Sequence, residues 1–114
     1  MSSASGLERA IFGYSDTGPI DDWIAGVVVD RLGSSLDRIV FRAGRVDAVY
    51  GLALSDARAV VLKVHRPPVK LAHLAATVAG LRHLNARGYP CPEPVDGPVL
   101  VDGRTVTVES LLVR

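Results

Sequence analysis

Apolar residues in this chain recur with two different periods, and the switches between them mark out its elements. Ile20, Trp23, Ile24, Val27, Val28 and Leu32 fall at helical spacing. Gly18-Pro19 opens this helix, with proline at a tolerated first-turn position and Asp21 and Asp22 beside the positive helix start; Gly33 ends it. The pattern then turns to alternation. It predicts strands over about Leu36 to Ala43, Val49 to Leu54 and Ala59 to His65, broken by Gly44 and by the turn Ser55-Asp56. Arg66-Pro67-Pro68 ends the third strand, because proline cannot donate to a ladder. Helical spacing returns from about Val69 to Arg87, where Leu71, Leu74, Ala75, Val78, Leu81 and Leu84 form one stripe, and Gly88 caps it. Pro90-Cys91-Pro92-Glu93-Pro94 reads as an extended connector. A hairpin follows, Val99 to Val101 and Arg104 to about Glu109, joined by Asp102-Gly103.

These elements predict an α+β fold: a five-stranded antiparallel sheet with one long packing helix and an N-terminal helix. Residues 1–17 read as a loose, flexible polar tail, and residues 18–114 as a single domain. An apolar content of 48% in 114 residues is enough for one core.

Charge changes the picture locally. The net charge is only +1, which argues against general nucleic-acid binding. The six aromatic residues (two Phe, three Tyr, one Trp) are scattered and offer no base-stacking set. Yet from Ala57 to Pro92 there is no Asp or Glu, while Arg58, Lys63, Arg66, Lys70, Arg82, Arg87 and all three histidines fall in that window. Such a segment sets up a positive local field suited to an anion. The single cysteine, Cys91, allows no intrachain disulfide, and the small polar N-terminus does not read as a signal peptide, so a cytoplasmic location is expected. No apolar run approaches the ~18 residues of a membrane span. His65, His73, His83 and Cys91 have no zinc spacing and read as packing or surface residues. Trp23 and Tyr50 read as packing residues.

Lys63 stands out, because it lies in the apolar strand Val60-Val61-Leu62-Lys63-Val64. An ammonium there must reach solvent or meet an anion. Alternation puts Val61, Lys63 and His65 on one face and Val60, Leu62 and Val64 on the other. One face is expected to carry the long helix and the other to present Lys63. The Gly44 loop can fold over that second face, where its backbone amides could approach phosphate oxygens.

The ordered set Gly44-Arg45-Val46-Asp47-Ala48-Val49-Tyr50, Val60 to His65, Leu81 to Pro94 and Thr107 to Leu112 resembles the N-terminal lobe of the aminoglycoside phosphotransferase family, which has the protein-kinase-like fold. The resemblance implies that Lys63 contacts the α/β-phosphates of ATP or GTP and that Gly44, Arg45, Val46, Asp47 and Ala48 form the phosphate-covering loop. It further implies that Val49 and Val61 line the adenine pocket, with Glu109, Ser110 and Leu111 at the hinge. Members of the family transfer phosphoryl groups to small hydroxylated molecules with magnesium.

The chain departs from the family pattern in three respects. Its loop has Gly44 alone, with Asp47 close by. Its long helix has no acid, and Thr77 occupies roughly the position of the glutamate that pairs with the strand lysine. The catalytic and metal-binding acids belong to a C-terminal lobe that the sequence does not contain, so this chain alone is expected not to catalyse transfer. The resemblance therefore implies a nucleotide-binding lobe that works with a catalytic lobe, a second chain or a second copy. A non-catalytic interaction module on the same fold is the alternative. Apolar surface left uncovered by the second lobe leads to an expectation of marginal stability or self-association.

Overall fold

The computed structural model describes residues 2–67, 70–88 and 92–111. The chain runs α1 (Gly6–Phe12), α2 (Thr17–Leu32), β1 (Leu36–Ala43), β2 (Ala48–Leu54), β3 (Ala59–Val64), α3 (Leu71–Ala86), β4 (Pro94–Val101) and β5 (Arg104–Ser110). All five strands join one antiparallel sheet in the order β1-β2-β3-β5-β4. The α+β fold and its sheet are therefore as the pattern predicts. Among the described residues no helix is long and apolar enough to cross a membrane.

Cross-strand partners share a face, so the register sorts the sheet into two sides. Tyr50 pairs with Leu62, and Leu62 with Val108; Val64 pairs with Ala48 and Val106. These residues, with Leu52 and Val60, make a core face that is almost wholly removed from water. On the other side Val49 pairs with Lys63, Lys63 with Thr107, and Gly51 and Glu109 with Val61. This is the cleft face.

The core face is covered by α2 and not by the long C-terminal helix. Ile20, Ile24, Val27 and Val28 from α2 are buried in the same cluster as Tyr50, Leu52, Leu62, Val64 and Val106. The expectation that the long helix would cover Val60, Leu62 and Val64 is thus corrected: α3 lies toward Lys63 and His65, with Leu74, Thr77, Val78 and Leu81 facing them across a cleft. Only Val78 of α3 is buried, and Leu71 and Leu84 of its stripe are exposed.

The N-terminal segment, read as a loose tail, is structured from its third residue. Ser3 bridges to Asp16, and α1 begins with a reciprocal capping box between Ser5 and Glu8. Ala4 and Phe12 enter the core. Arg104 donates to the Phe12 carbonyl at 3.2 Å and stacks over the rings of Phe12 and Trp23. Trp23 in turn donates from Nε1 to Asp102 at 3.0 Å, so the first helix, the second helix and the β4–β5 hairpin form one clasp. The hairpin turn has positive φ at both Asp102 and Gly103, the primed geometry that Asp-Gly favours. Strand β4 starts at Pro94, earlier than the alternation suggests, and its register shifts around Asp96 as it passes Pro98. An edge strand tolerates prolines that a central one would not.

Candidate functional site

Lys63 sits on the central strand β3 of the cleft face, flanked by Val49 on β2 and Thr107 on β5. Its ammonium lies 2.9 Å from Glu109 Oε1. Glu109 is the more sheltered partner, with 15% of its side chain exposed against 38% for Lys63. The acid that pairs with the strand lysine therefore comes from the adjacent strand. Thr77, at the helix position read as equivalent to the usual glutamate, donates to the His73 carbonyl at 3.1 Å. It lines the same cavity of about 70 Å³ as Lys63, His65, Val78 and Glu109.

The β1–β2 turn closes one end of this face. Gly44 has φ +130, and a Cβ there would strike the Asp47 carbonyl oxygen, so glycine is required for so tight a return. Asp47 is held by hydrogen bonds inside the fold. Its Oδ1 accepts from the Arg66 backbone N–H at 2.9 Å, and its Oδ2 is 3.0 Å from His65 Nδ1. A carboxylate can only accept, so Nδ1 is the donor, and Nε2 lies 2.8 Å from the Thr107 hydroxyl oxygen. Asp47, His65 and Thr107 thus tie the turn, β3 and β5 together. His65 is buried and belongs to this chain, whereas His73 and His83 are exposed on α3.

The other expected residues divide clearly. Val49 and Val61 share the cleft face with Lys63. Arg45 and Val46 are exposed at the turn, but Ala48 is buried in the core and turned away from it. At the expected hinge the Ser110 N–H donates to the Glu93 carbonyl at 2.8 Å, and the Leu111 N–H donates to the Ala59 carbonyl at 3.1 Å. Those two donors are spent inside the fold. Leu112 and Cys91 lie outside the described residues.

A second polar site lies at the β1–β2 end of the sheet, on its core face. Glu8 Oε2 accepts from the Tyr50 hydroxyl at 2.7 Å and from Arg42 at 2.8 Å, and Arg42 reaches on to Asp21 at 2.6 Å. Burial pushes the Glu8 carboxyl up, but the Ser5 N–H, Tyr50 and Arg42 together hold it below the ordinary carboxylate value. Burial, and then the Glu8 hydrogen bond, push the Tyr50 hydroxyl far up. Glu8 and Arg42 were not singled out from sequence. The Ser5-x-x-Glu8 spacing was the available signal, since it marks a helix start.

Similarity to known proteins adds nothing to this geometry for the chain. No family model and no curated protein matches it. Among the described residues no three metal-ligating side chains come together. The two acids nearest the cleft are already engaged, Glu109 by Lys63 and Asp47 by His65 and the Arg66 N–H, so they do not fit a magnesium site by themselves.

Proposed function

We propose that this chain is the nucleotide-binding half of a small-molecule kinase of the aminoglycoside phosphotransferase kind, with Lys63 receiving the phosphates of ATP or GTP. The observation that carries this reading is the Lys63–Glu109 pair at 2.9 Å, set between Val49 and Val61 on the open face of the sheet. Lysine has a mobile four-carbon stem. Pairing with a sheltered carboxylate holds the ammonium at one point over the face, where it can meet a polyanion with little further ordering. Val49 and the largely buried Val61 give the Lys63 face its apolar character, and the tight Gly44 turn brings backbone to the end of that face.

Phosphoryl transfer depends on positioning and charge neutralisation from both sides of the reacting group. On this reading Lys63 supplies one side. The acceptor site, the catalytic acid and the magnesium ligands come from a complementary lobe, a second chain or a second copy. The half-covered stripe of α3, with Leu71 and Leu84 exposed, supports a role for such a partner. The non-catalytic alternative, an interaction module on the same fold, draws support from Thr77, which bonds within its own helix and leaves α3 without a group for Lys63.

Calorimetric titration of Mg-ATP and Mg-GTP into the wild type and Lys63→Ala tests the proposal. Saturable binding that falls about tenfold or more in the variant is expected, the loss of a charge-assisted phosphate contact. No saturable binding of either nucleotide to the folded wild type would overturn it and favour the interaction module.

A further inference from the structure

A second cleft lies beside His65, between the β1–β2 turn and the start of α3. Its volume is about 250 Å³, and Arg66, Lys70 and His73 line it together with His65 and Asp47. At ~30 Å³ per water, such a space holds a tetrahedral oxyanion with part of its hydration shell.

Three observations give this cleft a ligand chemistry. First, its positive charge is not cancelled from within. Among the described residues Asp47 is the only acid on its lining, and both its oxygens are taken, by the Arg66 backbone N–H and by His65. The Arg66 guanidinium, Lys70 and the His73 ring pair with no acid among the described residues. Even with Asp47 counted, Arg66 and Lys70 leave the lining positive. Secondly, the sequence supplies no acid between Ala57 and Pro92 to compensate. Thirdly, Lys70 stands at the start of α3, where a cation is unfavourable. Lys70 is the N-cap residue and makes no side-chain capping bond, and the first turn holds no acid. A helix start favours acids and disfavours cations. A local rule broken in this way, with no acid paired to these cations among the described residues, is one place where function is to be sought.

We propose that this cleft binds a phosphate-class dianion, inorganic phosphate or a small phosphate monoester, at Arg66, Lys70 and His73. The site adjoins the Lys63 cavity, sharing His65 and Leu74 with it, but its three donors, Arg66, Lys70 and His73, have no part in the nucleotide reading. Arg66 supplies a planar donor fork, Lys70 a point charge, and His73 a ring N–H. The apolar side chains of Val46 and Leu74 border the same cleft.

The test follows the ring protons of His73 and His83 by NMR while inorganic phosphate is added at constant ionic strength. His83 serves as the internal reference, because it lies on α3 away from the cleft lining. A saturable His73 shift with a dissociation constant of about 1 mM is expected, with His83 unmoved. Arg66→Gln and Lys70→Ala should each weaken binding about tenfold, and Lys63→Ala should leave it unchanged. Repeating the titration with glycerol 3-phosphate separates free phosphate from an ester, since a monoester ligand binds tighter than phosphate and a site for free phosphate does the reverse. The proposal is overturned if His73 and His83 drift together without saturation. It is also overturned if Lys63→Ala abolishes the shift, or if saturating Mg-ATP expels phosphate, because the cleft would then be part of a nucleotide site.

Discussion

The two faces of the sheet are built from the same strands and serve opposite ends. The core face takes Tyr50, Leu52, Leu62, Val64 and Val106 out of water beneath α1 and α2. The cleft face carries Lys63, His65, Thr107 and Glu109, and α3 leans over it with only Val78 buried. One side supplies burial free energy, and the other keeps polar groups at fixed points beside open space. Charged groups on a strand can be tolerated when the alternate positions are packed this fully, because the two sets point to opposite sides.

The sharpest way to break this contrast is to cut a comparable side chain from each helix. Ile24→Ala, on α2 at 0% exposure, should cost about 2–5 kcal/mol in denaturant unfolding, the range for a fully buried aliphatic truncation. Leu74→Ala, half-buried on α3, should cost about 1 kcal/mol or less. Equal losses would mean that α3 packs as tightly as α2.

Tyr50→Phe comes next. It removes the hydroxyl that donates to Glu8 and leaves a buried carboxylate short of a donor, so about 1–2 kcal/mol should be lost by the same assay. A related effect follows acidification. The Glu8 carboxyl is held below its ordinary value in the fold, so across that window the unfolded chain binds the extra proton. Its contribution is present above the ordinary carboxylate range and is lost as the pH falls through the lower, folded value. Glu8→Gln should therefore lower stability at neutral pH and flatten the acid limb of a stability–pH profile.

The smallest effect on folding is expected from Glu109→Gln. The partner Lys63 is well exposed, and such pairs contribute about 0–1 kcal/mol. The unfolding midpoint should hardly move while Mg-ATP affinity falls. A large loss of stability instead would assign the pair a structural role.

Much of the fold was legible because its signals are periodic. Alternation along β3 set Lys63 opposite Val60, Leu62 and Val64, and Asp102-Gly103 marked its hairpin without help from elsewhere. Helix α1 escaped because seven residues give no period, and only its capping box announces it. The first part of β4 escaped because Pro94 reads as the end of a connector and the alternation resumes only at Val99. Which helix would cover which face was not readable, since α2 and α3 both have apolar stripes of similar length. The clustering of Asp47, His65 and Thr107 depends on pairings 18 and 42 residues apart, and the Lys63 partner depends on strand register, so neither leaves a local trace.

The clasp around Arg104 bears on how the protein is made. Arg104 binds the Phe12 carbonyl across 92 residues of chain, and Trp23 binds Asp102 across 79. During synthesis α1 and α2 leave the ribosome long before their last partners exist. Until β5 arrives, the strand edge of β3 and the apolar side of α2 stand open together. A nascent chain halted before residue 104 should therefore depend on holdase chaperones, and release should coincide with the emergence of the final hairpin.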